Sequence, residues 1–246
     1  MTPSLTSRPS GSVSRRELLR ALGALAATGG LAPALRAQSQ PGGTAMRDEL
    51  ELRNDQLRVV LSPGDGAGIL ALALRRRNGW LDLYPDVRDP ALKMRFASWM
   101  MIPYSNRIAH GRFTWAGREY QLRNGENHSI HGDARNHPWS VLERSDSAVR
   151  LALDTRRVPS FNWPWPLELS AELRLDGSAF VQRLRIINRG DSTMPAGFGW
   201  HPYYRRYLTR EGEPVRIVFK AAGVWPDPVG EAVSVGIGPH AGGDCL

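Results

Sequence analysis

Between Leu167 and Leu175 an apolar residue holds every second position: Leu167, Leu169, Ala171, Leu173 and Leu175. Glu168, Ser170, Glu172 and Arg174 fill the places between. A period of two sends successive side chains to opposite faces, so this stretch is a strand with one buried face and one wet face. Asp176-Gly177 follows, a pair suited to a hairpin turn. Phe180 to Asn188 then runs back with Phe180, Leu184 and Ile186 on one face. The strongest local signal in the chain is thus an antiparallel β-hairpin.

Other segments read the same way. Val149, Leu151 and Leu153 alternate with polar or small residues, as do Val215, Ile217 and Phe219. Glu49 to Arg53 and Leu57 to Leu61 flank Asn54-Asp55, a turn pair. Ile69 to Leu74 is a short apolar run after the glycine-rich turn Pro63 to Gly68. Ala91 to Met101 fits either one short helix or a loop leading into Pro103. Nowhere after the first 40 residues is a 3.6-residue period sustained, and there is no internal repeat or phosphate-cradling glycine loop. Many short strands separated by turns predict an all-β chain, an antiparallel β-sandwich, rather than an α/β fold. The 246 residues suffice for one or two domains with a sizeable core.

The formal net charge is +8, and half of it sits in the first 40 residues, where five arginines face a single acid, Glu17. Basic residues elsewhere are spread out, with no run that marks a nucleic-acid face. The densest cluster, Arg75-Arg76-Arg77, reads as a solvated turn before Asn78-Gly79. Ser14-Arg15-Arg16-Glu17-Leu18-Leu19 is a twin-arginine pattern, and a weakly apolar run broken by Gly29, Gly30 and Pro33 follows it. That run is too short and too weak for a membrane span. Residues 1–37 are therefore expected to be a twin-arginine (Tat) signal peptide, 38–46 a linker and 47–246 the β-sandwich domain. The expected partner of the leader is the Tat translocase, and the expected location is the periplasm or the exterior, with no membrane attachment after leader removal. The one cysteine, Cys245, excludes a disulfide framework.

The segment with most chemical promise is Gly197-Phe198-Gly199-Trp200-His201-Pro202-Tyr203-Tyr204. His201 is its one group that titrates near neutrality, and histidine is the usual proton donor or acceptor. The alternative is a core histidine in an aromatic cluster. Upstream stand Asn106-Arg107-Ile108, Gly111-Arg112-Phe113, Gly117-Arg118-Glu119-Tyr120-Gln121-Leu122, His131-Gly132 and Trp139-Ser140-Val141. His128, His131 and His137 bring no Cys and do not share one face of an extended segment, so no metal site is expected. The tryptophans of Phe161-Asn162-Trp163-Pro164-Trp165-Pro166 are read as a cleft edge, the alternative being core filling.

Taken in order and spacing, these motifs and Pro195-Ala196-Gly197-Phe198-Gly199-Trp200-His201-Pro202-Tyr203 resemble the aldose 1-epimerase (galactose mutarotase) family, from about Glu49 to Tyr204. The resemblance implies a galactose mutarotase-like supersandwich and the interconversion of α and β anomers of an aldohexose without a cofactor. A base takes the anomeric proton, an acid protonates the ring oxygen, the ring opens, and the steps reverse after rotation about C1–C2. By resemblance, His201 is the acid and His131 assists it or binds the sugar. Arg107 orients sugar hydroxyls through its planar donors. Asn106 and Trp200 are expected in the wall of the site.

The family's proton-abstracting Glu, which lies near its C-terminus, has no counterpart in this sequence, so the strands carrying it are expected to be missing. No Glu follows Glu231, the stretch Gly238 to Leu246 reads unlike a strand, and Asp227 is the nearest candidate carboxylate. Two other functional readings stand beside the enzyme. One is a non-catalytic sugar-binding protein on the same fold. The other is a polysaccharide lyase or hydrolase, which lacks support because two spaced carboxylates are not evident.

Overall fold

The computed structural model describes residues 48–123, 128–208, 210–213, 216 and 218, together with the backbone of residues 223–224 and 240–241. The chain separates into two units, Met1–Thr44 and Ala45–Leu246, and the first lies outside the described residues. Among the described residues the regular elements of the second unit are strands and three 3-10 turns, Pro90–Leu92, Ala134–Asn136 and Thr155–Arg157.

The first sheet has four strands: β1 (Leu50–Arg53), β2 (Leu57–Ser62), β3 (Gly68–Arg76) and β4 (Gly79–Tyr84), hydrogen-bonded antiparallel in that order. Asn54 makes the first turn by accepting the amides of Gln56 and Leu57 on its Oδ1, a local bond that suits Asn to turns. The arginine cluster is only in part the turn that was expected. Arg75 and Arg76 finish β3 opposite Trp80 and Gly79, and the turn falls on Arg77-Asn78. Their guanidinium groups reach solvent, which lets a strand end carry them, and that of Arg75 lies 5.4 Å from the Trp80 ring centroid.

Short strands follow: β5 (Met100–Met101), β6 (Arg107–Ala109), β7 (Arg112–Trp115), β8 (Arg118–Gln121) and β9 (His128–Ile130). The expected helix or loop over 91–101 is a loop opened by the Pro90–Leu92 turn and closed by β5. The second four-stranded sheet is β10 (Ser140–Arg144), β11 (Ala148–Asp154), β12 (Leu167–Asp176) and β13 (Ala179–Asn188), again antiparallel in chain order. The predicted hairpin is β12–β13, with Leu175 opposite Phe180, Ala171 opposite Leu184 and Leu169 opposite Ile186. Opposed residues share a face, so these three pairs all look inward, where they join the core.

Buried residues of both sheets form one hydrophobic cluster, Leu52, Val59, Leu61 and Ile69 on one side and Leu151, Leu169 and Leu173 on the other. This is the predicted antiparallel β-sandwich. The remaining strands are β14 (Gly199–Trp200), paired with β5, and β15 (Gly223–Val224), paired with β16 (His240–Ala241). The last pair corrects the reading of the glycine-rich tail, since the backbone of His240 and Ala241 is extended and finds a partner strand. The alternating set Val215, Ile217 and Phe219 lies outside the described residues. No helix among the described residues is long and apolar enough to cross a membrane.

Candidate active site

The site begins on β3. Ile69 exchanges backbone hydrogen bonds with Ser98 in an antiparallel bridge, its amide donating to Ser98 O (2.8 Å) and its carbonyl accepting from the amides of Ala97 (2.8 Å) and Ser98 (3.2 Å). That anchors residues 96–103. A second extended stretch, 197–203, runs antiparallel beside it. The amides of Gly197, His201 and Tyr203 donate to the carbonyls of Pro103 (2.7 Å), Trp99 (3.0 Å) and Ala97 (2.8 Å), and β14 pairs with β5 between them.

Register decides which side chains meet. Trp200 lies opposite Met100, which sets His201 opposite Trp99. Side chains alternate across a strand. Trp200 therefore turns to the core, where it packs half-buried near fully buried Met100. His201 and Trp99 share the other face, and their rings stack at 4.0 Å between centroids with 13° between planes. Tyr203, two residues on, joins the same face at 5.1 Å from His201. Gly199 faces Met101, whose mobile Cε would lie 2.9 Å from an added Cβ.

His131 arrives from β9. Strands β6 and β9 pair Arg107 with Ile130, and one step further the His131 amide donates to Asn106 O at 2.9 Å. His131 has φ 62° and Gly132 φ 65°, so the chain makes a left-handed turn that a β-strand residue does not adopt without cost. The turn is held from behind. Ile102 O accepts the amides of Asp133 (2.9 Å) and Ala134 (3.2 Å), and a Cβ on Gly132 would sit 1.9 Å from that oxygen. The result is two imidazoles at 4.9 Å in an edge-to-face arrangement.

The two rings have different roles open to them. Nδ1 of His131 lies 2.8 Å from Ser105 O. A carbonyl only accepts, so Nδ1 carries the proton, and in the neutral ring Nε2 is left as an acceptor. Nδ1 of His201 is buried without a hydrogen-bond partner. Burial pushes the pKa of His201 down, its own backbone opposes the shift in part, and Arg135 adds to the lowering. Burial also lowers His131, opposed by its bond to Ser105 and reinforced by His201, Arg135 and Arg107. No Asp or Glu among the described residues figures in the perturbation of either ring.

Of the other expected site residues, Arg107 is half-buried on β6 close enough to lower His131, and Asn106 is exposed at the strand's start. Asp227 lies outside the described residues. His110 and His128 sit together elsewhere, 5.1 Å apart, and His137 pairs with Asp133 at 2.7 Å. Among the described residues no group of three or more His, Cys, Asp or Glu is placed to hold a metal. Trp163 and Trp165 line an open groove of about 900 Å³ with Tyr120 and Phe161, and neither histidine of the pair shares it. Of its lining residues, Trp163 lies 5.7 Å from Tyr104 and Asn162 donates its amide to Asp133 at 2.7 Å.

Sequence reasoning did not single out Trp99, Ser105 or Arg135, and gave Tyr203 only as part of the segment around His201. Tyr203 carried a usable signal, because residues two apart in an extended Trp-His-Pro-Tyr share a face. Trp99 and Ser105 carried none, since only the pairing of two distant segments brings them to the histidines.

Comparison with known proteins points the same way. The family model for aldose 1-epimerase matches residues 48–211. The uncharacterized protein YphB of Escherichia coli (strain K12) is 30% identical over 153 residues, 59% of this chain and 49% of that protein. Galactose mutarotase of Sus scrofa is 29% identical over 185 residues, 71% of this chain and 51% of that protein. The chain thus spans about half the length of either relative. A galactose mutarotase-like protein from Lactobacillus casei ATCC 334 superposes with a TM-score of 0.58 at 17% identity, over 74% of this chain and 60% of that one, which shows a shared fold. Motif order, sandwich architecture and the match across most of the described residues together place this chain in the aldose 1-epimerase family.

Proposed function

We propose that this protein interconverts the α and β anomers of an aldohexose by acid–base opening of the sugar ring. The observation that carries the reading is the His131–His201 pair, two imidazoles 4.9 Å apart with Trp99 stacked on one of them. Ring opening needs one proton removed from the anomeric hydroxyl and one delivered to the ring oxygen. His201 is the donor to the ring oxygen; stacking on Trp99 limits its freedom, and burial makes its protonated form a stronger acid. His131, locked by Ser105, accepts a hydrogen bond from a sugar hydroxyl through Nε2. Arg107 donates to sugar oxygens beside it. The base of the family is a carboxylate, and Asp227 remains the candidate within this sequence. The twin-arginine leader in residues 1–37 supports Tat export and work in the periplasm or outside the cell.

Exchange NMR of α and β galactose tests the reading. His201→Ala should lower kcat about 10²-fold while sugar binding is largely kept, because a proton-transfer group acts mainly in the transition state. Exchange at the wild-type rate in that variant would remove His201 from the chemistry.

A further inference from the structure

The arginine cluster at the end of β3 joins a constellation that the sugar site does not use. Arg75 lies opposite Trp80 across β3 and β4. Arg53 lies opposite Arg58 across β1 and β2, and Arg58 lies opposite Ala73 of β3. Opposed residues share a face, and so do residues two apart on one strand. Arg53, Arg58, Arg75 and Trp80 therefore occupy one corner of one face of the first sheet. Their neighbours Leu52, Leu57 and Leu74 turn the other way, toward the hydrophobic core. Continuous burial of β3 stops at Ala73. Beyond it Arg53 and Arg75 are exposed, while Arg58 and Trp80 are half-buried.

The three guanidinium carbons lie 5.1, 5.4 and 5.4 Å from the centroid of the Trp80 ring. The other cation–π contacts among the described residues each set one guanidinium on one ring, as Arg95 on Phe96 or Arg118 on Tyr120. An arginine without an ion pair is common in this chain and signifies nothing alone. Convergence of three on one uncharged ring is what marks this corner.

Like charges directly opposed in an antiparallel pair repel, and Arg53 and Arg58 are so opposed. The π face of Trp80 attracts each cation but neutralises none. Nearby acids are few and mostly engaged. Asp82, opposite Ala73 on the same face, meets Arg205 at 3.8 Å. Asp86 feels Arg58, but both its oxygens accept hydrogen bonds from Arg88. Glu51, two residues before Arg53 on β1, offsets at most one of the three charges. Nε of Arg58 is buried without a hydrogen-bond partner, so the ring holds this guanidinium where an acceptor would otherwise be expected.

We propose that Arg53, Arg58 and Arg75 form, around Trp80, a binding site for a tetrahedral oxyanion, a phosphate or sulfate group. Guanidinium groups donate in planar pairs that match such oxygens. A bound oxyanion would relieve the Arg53–Arg58 repulsion and tie β1, β2 and β3 together at their open corner. The histidine pair has no share in it, since none of the three arginines figures in the perturbation of either imidazole.

The test is calorimetric titration of the full chain with inorganic phosphate, sulfate and glycerol phosphate. Ionic strength is held at about 0.1 M, where screening over about 10 Å leaves close contacts dominant. The wild-type chain should bind phosphate and sulfate saturably, with a dissociation constant of about 1 mM or below. Arg53→Gln and Arg75→Gln, both at exposed positions, should each weaken binding about tenfold, the scale of one charge-assisted hydrogen bond. Arg76→Gln removes a charge from the next residue, on the opposite face, and should change binding less than about twofold. Melting temperatures in chloride and in phosphate separate binding from packing. Lost stacking on Trp80 lowers both alike, whereas a lost site removes only the gain that phosphate gives. Binding of glycerol phosphate as tight as that of free phosphate identifies an esterified ligand, and binding of the free ions alone identifies an inorganic one. Absence of saturable binding for all three probes overturns the proposal, as does binding that Arg53→Gln and Arg75→Gln leave unchanged.

Discussion

In β2 the neighbours Val59 and Val60 are both buried, whereas in β12 Leu173 is buried while Glu172 beside it reaches solvent and meets Arg183. The contrast runs through the two sheets. β3 is buried without a break from Gly68 to Ala73, and β12 alternates strictly. A strand covered on both faces has no polar side, so it reads as a continuous apolar run, while a strand covered on one face alternates. Phe96 lies against Gly68 of β3, where an added Cβ would fall 2.1 Å from its ring, while Ala97 and Ser98 hydrogen-bond Ile69 along the strand's edge. The candidate active site is therefore mounted on the doubly covered sheet, and the half-wet sheet supplies the opposite wall of the core. A site that must hold two imidazoles in a fixed relation gains from the more rigidly enclosed partner.

The sharpest way to break this comparison is at Gly132. An added methyl would fall 1.9 Å from Ile102 O, a backbone atom, in a residue with φ 65°. Gly132→Ala is expected to cost about 3 kcal/mol or more in stability and to abolish anomer exchange in whatever fraction stays folded. Chemical denaturation with exchange NMR on the same sample checks it. A stable, active variant would show that the left-handed turn does not hold His131 in place.

Next in size is a pairwise contrast between the sheets. Val59→Thr and Val60→Thr should each destabilise by about 1–3 kcal/mol, because both place a hydroxyl in an apolar layer. On β12, Leu173→Ala should cost about 2–5 kcal/mol and Glu172→Gln less than about 1 kcal/mol. Urea midpoints of the four variants suffice. If Val59 and Val60 differ as strongly as Leu173 and Glu172 do, β2 is not covered on both faces.

The smallest effect is in pH. His131 and His201 have folded-state pKa values lowered, chiefly by burial, from an ordinary value of 6.5. A group whose folded pKa is depressed resists protonation in the folded state, so its contribution is present above 6.5 and is lost as pH falls through the folded values. The melting temperature should drop between pH 7 and about pH 5, and the double variant His131→Gln, His201→Gln should flatten that slope. Asp133, also depressed, loses its share only further down, below its ordinary 3.8, so the two windows separate. An unchanged slope in the double variant would mean that neither imidazole is buried enough to matter.

Much of the second sheet is legible in the amino-acid sequence. The alternation in β11 and β12, the Asp176-Gly177 turn and the returning face of β13 are local, and a strand's own sequence records which face is wet. The first sheet is legible as apolar runs with turns at Asn54-Asp55 and Pro63 to Gly68, but its continuous burial is not, because two-sided cover depends on what packs above it. In the candidate site, His201, His131, Arg107 and Asn106 are found through motifs, since the order and spacing of such motifs survive in sequence. Trp200 sits in the motif as well, yet its ring faces the core, and the ring against His201 belongs to Trp99, about a hundred residues away in the chain.

By itself, then, the sequence determined a chain of antiparallel strands with a histidine-bearing glycine and aromatic segment, because period and turn chemistry act between neighbours. Only the tertiary structure decided that residues 97–103 and 197–203 lie side by side in one register. That single register stacks His201 on Trp99, and the turn at His131 and Gly132 brings the second imidazole and Arg135 alongside. Pairing between distant segments follows from the burial of both against a shared core, a condition that no local pattern encodes.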